Sequence, residues 1–114
     1  MASTVPMVDP KARGRKRYVG FRVHVEEGPP PDRRTMVEAL DRACRSVNLR
    51  DRKRLTVFTG GLGIAKCEHT EVDDMLRAFA SIDHLGGAPA RVETLVTSGT
   101  IKKVKGHLGL DAND

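Results

Sequence analysis

The stretch "LTVFTGGLGIAKCE", Leu55 to Glu68, decides the fold. Its first five residues are mostly β-branched or aromatic, side chains that suit a pleated, half-buried surface. Gly60 and Gly61 supply the positive backbone angles that a tight turn needs, and a second strand runs on to about Glu68. Two strands joined this closely must be antiparallel.

Upstream, "YVGFRVHV" (Tyr18 to Val25) alternates strictly. Val19, Phe21, Val23 and Val25 point one way, and Tyr18, Gly20, Arg22 and His24 the other, so one face of this strand is buried. The proline-rich "EEGPPPDRR" that follows cannot extend the sheet. Thr35 and Glu38 stand at capping-box spacing, and Val37, Leu40, Cys44 and Val47 recur at helical spacing, with Asn48 as the expected end. "RDRKR" (Arg50 to Arg54) is a charged connection. Downstream, Thr70 is expected to cap a second helix, with Glu71, Asp73 and Asp74 in its first turn. Its apolar stripe is Val72, Met75, Leu76, Phe79 and Ile82; "DHLGGAP" is expected as a loop and "RVETLVTS" (Arg91 to Ser98) as the last strand. The order strand, helix, strand, strand, helix, strand is the α+β plan of ferredoxin-like and RNA-recognition-motif-like folds. It predicts a four-stranded antiparallel sheet with both helices on one face. Residues 18–106 would form this domain, between a basic flexible tail at 1–17 and a short tail at 107–114.

Charge is distributed unevenly along the 114 residues. Residues 1–17 carry a net of +4, residues 18–97 hold twelve charges of each sign, and residues 98–114 carry +1. The whole excess of +5 therefore lies at the chain ends, which points to a polyanionic partner met by the termini. "KARGRKR" (Lys11 to Arg17) has five like charges in seven residues and should be disordered when free. No apolar run reaches membrane-spanning length, the N-terminus lacks the apolar centre of a secretory signal, and the two cysteines are too few for a disulfide framework. A cytoplasmic protein with reduced thiols is expected.

Several chemistries find little support. Cys67 and His69 lie close to Asp73 and Asp74, but zinc spacing is absent, and a buried thiol beside an acidic helix start explains them. His24, His84 and His107 have no carboxylate or nucleophile at suggestive spacing, and Ser98 is not in a nucleophile elbow. An ordinary RNA-recognition motif stacks bases on aromatics of its central strands, and "GLGIAKCEH" has none. RNA contact is therefore expected through phosphates and shape rather than aromatic stacking. A different class of reading is a protein–protein module whose open sheet face, with Ile64 and Leu95 among Arg22, Lys66 and Glu93, docks a partner.

"VTSGTIKKVKG" (Val96 to Gly106) is the most informative remaining stretch. Gly99 lets the chain bend off the strand, and Thr100 can cap a short helix. Ile101, Val104 and Leu108 would then lie against the domain, leaving Lys102, Lys103 and Lys105 outward beside a helix start that favours anions.

"RYVGFRV", "GLGIAKCEHTEVDDMLRAFASI" and "TLVTSGTIKKVKG" together resemble the small ribonuclease P subunit family known in archaea as protein component 2. The resemblance covers roughly residues 17–106, and "SGTIKK" and Lys66-Cys67 are its most specific pieces. It implies a protein that is not catalytic alone. Such a protein supports a catalytic RNA, through that RNA's catalytic domain, in removing 5′ leaders from precursor tRNA. It also implies a TIM-barrel-like protein partner, leaves open a homodimer within a heterotetramer, and assigns magnesium to the RNA, with no cofactor or metal bound by the protein. Ser98, Gly99, Thr100, Ile101, Lys102 and Lys103 match the family's terminal motif, and Arg17, Tyr18, Lys66 and Cys67 match its strand positions. Together with the charge division, this makes Arg13, Arg15, Lys16, Arg17, Lys102, Lys103 and Lys105 the expected phosphate contacts. Gly106 and Gly109 weaken a terminal helix that relatives continue with more basic residues.

Overall fold

A computed structural model of the chain describes residues 16–47, 49 and 55–110. The elements run β1 (Lys16–Val25), α1 (Arg33–Ser46), β2 (Leu55–Thr59), β3 (Leu62–Glu68), α2 (Val72–Ala80), β4 (His84–Leu85), β5 (Ala88–Ser98) and α3 (Ile101–Leu108). All strand pairs are antiparallel, in the order β2-β3-β1-β5-β4, so β1 is central.

The fold is α+β, and its longer elements follow the expected order. The sheet, however, has five strands rather than four. The segment expected as a loop after α2 is a hairpin: Gly86 and Gly87 adopt φ of 62° and 86°, and His84 and Leu85 pair with Pro89 and Ala88. Two consecutive residues at positive φ are what a two-residue hairpin turn requires. A two-residue strand is too short to show any periodicity, which is why the pattern concealed it.

Val19, Phe21 and Val23 of β1 face α1 and α2 and join Met36, Leu40, Cys44, Met75 and Phe79 in one cluster. Phe21 is its pivot. Its ring centroid lies 4.6 Å from that of Phe79 and 6.2 Å from that of Phe58. Gly63, registered opposite Phe21 on β3, leaves the space the ring occupies, because a Cβ there would stand 2.3 Å from Phe21 Cζ.

Both helix starts differ from expectation. At α1 the cap is Asp32, not Thr35: the Thr35 amide donates to Asp32 Oδ1 at 2.9 Å, and Thr35 itself lies inside the helix. The carboxylate already satisfies the first turn, so the Thr35–Glu38 spacing has no capping role. Before α2 the chain makes a single 3₁₀ turn, His69–Glu71, closed by a capping box between Glu68 and Glu71; the Glu68 amide donates to Glu71 Oε1 at 2.9 Å. Thr70 makes no cap. The expected helix end at Asn48 and the connection Arg50 to Arg54 lie outside the described residues, and the helix itself stops at Ser46 with Val47 as C-cap.

Gly63→Ala should destabilise the fold by roughly 1–3 kcal/mol, read from urea unfolding, because the new methyl must displace the Phe21 ring. A second test concerns the α1 cap. The Thr35 amide holds the Asp32 carboxyl below its ordinary value. Its contribution is therefore complete above the unfolded pKa and is lost as pH falls through the lower folded one. Asp32→Ala should lower the melting temperature at neutral pH and flatten the decline of stability with acid; an unchanged acid limb would contradict the cap.

Candidate nucleic-acid interface

β5 ends at Ser98, and the chain turns at Gly99 into α3. Thr100 is extended (φ −131°, ψ 141°), and its hydroxyl accepts the Lys103 amide at 3.3 Å, as the sequence indicates. The Thr100 amide in turn donates to Ser98 Oγ at 3.4 Å. Gly109, at φ 75°, closes the other end, and the Leu110 amide donates to the Lys105 carbonyl at 2.8 Å. Gly106 lies within the helix rather than ending it.

This helix lies on the outer face of the sheet, opposite α1 and α2. Its docking depends on Gly20. A Cβ on Gly20 would stand 2.7 Å from Val104 Cγ1, 3.0 Å from Val96 Cγ1 and 3.3 Å from Leu108 Cδ1, so the bare backbone of β1 is the seat of α3. Ile64, registered with Gly20, is fully buried yet lies outside the main cluster, and Val104 is equally buried. These residues form a second, smaller core. The mixed open face expected from the sequence is thus corrected: Ile64 is covered, and Leu95 falls at a bulge where β5 slips between Val96 and Thr94. Gly20 is a site residue that the sequence reading does not single out. Its signal was a glycine within a strand pattern, which marks close backbone approach.

With Val104 turned inward, Lys102 and Lys103 are exposed and Lys105 is half-buried. Among the described residues, no ion pair engages any of the three. The first turn of α3 contains no acidic residue, so no side chain of that turn offsets the positive end of the helix dipole. The sheet adds to this end. Lys66, Tyr18 and Ser98 are register partners across β3, β1 and β5, forming one row beside the start of α3. Arg17 Nη1 lies 3.3 Å from where a Cβ of Gly99 would be, and donates to the Lys16 carbonyl at 3.0 Å. Arg17, Lys66, Ser98, Gly99, Thr100, Lys102, Lys103 and Lys105 therefore share one end of the molecule.

Lys16 stands apart from this group. It belongs to β1, two residues earlier than the expected start of the strand, and its ammonium pairs with Glu68, its register partner on β3. Cross-strand neutralisation of this kind is invisible in a linear pattern. Arg13 and Arg15 lie outside the described residues. Among the described residues no three His, Cys, Asp or Glu side chains group as a metal site; Cys67 is buried in the main core, while His69 is exposed.

Residues 17–108 match the model of the Rpp14/Pop5 family. The chain is 34% identical over 100 residues to "Ribonuclease P protein component 2" of Archaeoglobus fulgidus, covering 84% of this chain and 90% of that one. The protein of the same name from Methanosarcina acetivorans is 32% identical over 99 residues, covering 82% and 74%. That of Pyrococcus furiosus is 28% identical over 112 residues, covering 92% of each. Among solved structures, a chain in the cryo-EM structure of yeast ribonuclease MRP superimposes with a TM-score of 0.63 at 15% identity, covering 88% of this chain and 95% of that one. At that identity the likeness is one of fold.

The seat of α3 makes its own prediction. Val104→Ala should cost about 1–3 kcal/mol and selectively raise hydrogen exchange at the amides of residues 104–110, with those of β1 less affected. Uniform loss of protection would mean that α3 is not a separate docking unit.

Proposed function

The chain belongs to the Rpp14/Pop5 family of ribonuclease P proteins, and we propose that it acts there as an accessory RNA-binding subunit that helps the catalytic RNA remove 5′ leaders from precursor tRNA. The observation that carries this reading is α3: three lysines without ion-pair partners among the described residues, at a helix start free of acids. Arg17 and Lys66 flank the same end of the sheet. Such a surface can neutralise phosphates that would otherwise repel one another, and it can hold RNA segments in a fixed relation.

The work is electrostatic and positional. The phosphodiester hydrolysis, and the magnesium it uses, belong to the RNA, and the protein binds no cofactor in this reading. Lys102, Lys103 and Lys105 would meet phosphates directly, together with Arg17 and the basic segment containing Arg13 and Arg15. Lys16 would contribute less, since Glu68 already holds its ammonium.

A protein partner is part of the same reading, the TIM-barrel-like subunit being the expected one. β4 covers β5 only at Ala88 and Pro89, so along Arg91 to Ser98 the outer edge of β5 has no neighbouring strand among the described residues. An open edge of that length suits a contact with another chain, that subunit or a second copy of this one. No helix among the described residues is long and apolar enough to cross a membrane.

Reconstitution tests the whole reading. Precursor-tRNA cleavage by the RNA with its partner proteins should fall at low magnesium when this chain is omitted, and recover when it is added back. Replacing Lys102, Lys103 and Lys105 together by alanine should weaken RNA binding and reduce the slope of log K against log salt by roughly two to three. An unchanged slope would remove those lysines from the interface.

A further inference from the structure

Farther along β1 from the seat of α3, the strand, the β2–β3 turn and the connection after β1 enclose an open cleft of about 410 Å³. That size falls in the range of roughly 300–1,000 Å³ typical of small-ligand sites. Its polar wall is Arg22 and His24, the two outer-face residues of β1 beyond Gly20. Arg22 is exposed and stands between its register partners Leu62 on β3 and Glu93 on β5. His24 is partly exposed, and its ring is held by a 2.7 Å contact between Nε2 and Glu93 Oε1. The Glu93 carboxylate is thereby occupied, with Arg22 and Arg91 close enough to stabilise its charge further.

The other walls are apolar or bare backbone. Leu62 and Pro30 supply apolar surface, and Gly28 and Gly60, at φ 89° and 57°, have nothing within 4 Å of where a Cβ would lie. The cleft is also anchored. The Val23 amide donates to the Gly61 carbonyl at 2.8 Å, and a Cβ on Gly61 would already touch Pro30 at 3.4 Å, so the turn and the connection are both held near β1.

We propose that this cleft receives one unpaired nucleotide of the RNA that α3 contacts. This inference rests on the RNA-binding reading above and adds a second contact of different chemistry. Unpaired bases stack on imidazole rings and guanidinium planes as well as on phenyl rings. A fixed His24 ring and a partly free Arg22 plane, with Leu62 and Pro30 lining the same cleft, can therefore stack a base. The Arg22 guanidinium can equally meet the attached phosphate, and the side-chain-free Gly28 and Gly60 let a sugar–phosphate backbone approach closely. Duplex RNA, whose bases are stacked inside a rigid helix, cannot enter. The absence of phenylalanine and tyrosine from the lining of this cleft thus does not remove base recognition; it transfers the role to Arg22 and His24.

The test is an amide NMR titration of the full chain at low salt, with a single-stranded uridine hexanucleotide, an RNA duplex of the same length and a hexa-aspartate peptide. It compares the unaltered chain with Arg22→Ala/His24→Ala and with the three-lysine alanine variant of α3. The single strand should shift amides of residues 22–24, 28 and 60–62, and the cleft variant should bind it roughly tenfold more weakly or worse. The duplex should shift α3 amides alone, and the lysine variant should keep the cleft shifts. Should the alanine pair disturb the fold, seen as lost dispersion of the amide spectrum, Arg22→Gln/His24→Gln takes its place. Shifts confined to α3 with the single strand, or equal cleft shifts with the hexa-aspartate peptide, overturn the cleft and leave the RNA-binding reading standing. No shift with either RNA, coupled with no binding of ribonuclease P RNA, overturns both.

Discussion

The contact between Val104 and the bare backbone of Gly20 is the constraint on which the functional half of the molecule depends. A central strand of a half-open sheet normally shows side chains to both sides. Here β1 presents Val19, Phe21 and Val23 to one face and, at Gly20, an unobstructed backbone to the other. The first face takes α1 and α2. The second takes α3, which would otherwise have too few residues to remain helical in water. Burial of Val104 against Gly20, Ile64 and Val96 fixes the helix roll, and the roll fixes which way the three lysines point. A basic segment thus becomes an oriented surface rather than a loose tail.

The same strand divides labour along its length. Near Tyr18 it leads to the start of α3, with Lys66 and Ser98 in register on either side. Beyond Gly20, Arg22 and His24 stand uncovered beside the cleft. Acidic groups are distributed to suit both ends. Glu68 neutralises Lys16 at the strand's beginning, and Glu93 steadies His24 toward its finish, while none stands in the first turn of α3. The +5 excess is therefore not smeared over the fold. The three lysines of α3, without ion-pair partners among the described residues, are carried on a packed helix. This limits the backbone entropy lost on meeting phosphates.

Much of this was legible in the chain itself, residue by residue. The alternation around Phe21 identifies the buried face of β1, the paired glycines at 60 and 61 identify the hairpin, and Thr100 after Gly99 marks the cap of a helix that turns Val104 inward. Those features are local: each is set by periodicity or by backbone angles within a few residues. The departures share the opposite character. Lys16 meets Glu68 across 52 positions, Ile64 is covered by a helix some forty residues downstream, and β4 exists only because a turn returns it to β5. Asp32 took the cap from Thr35 because two adequate candidates lay within one turn, and spacing cannot rank them.

By itself, then, the amino-acid order determined the types of the longer elements, the buried face of the sheet and the basic character of the segment after Ser98. These follow from side-chain chemistry repeating at 2 or 3.6 residues, a property of the unfolded chain as much as of the folded one. Only the tertiary structure decided which of the described cations lack ion-pair partners among the described residues, that α3 covers Ile64, and that Arg22 and His24 line a common cleft. Pairing and covering are relations between segments far apart in the chain. They are settled by which strands become neighbours and by the one position, Gly20, where a strand leaves room for a helix to rest on it.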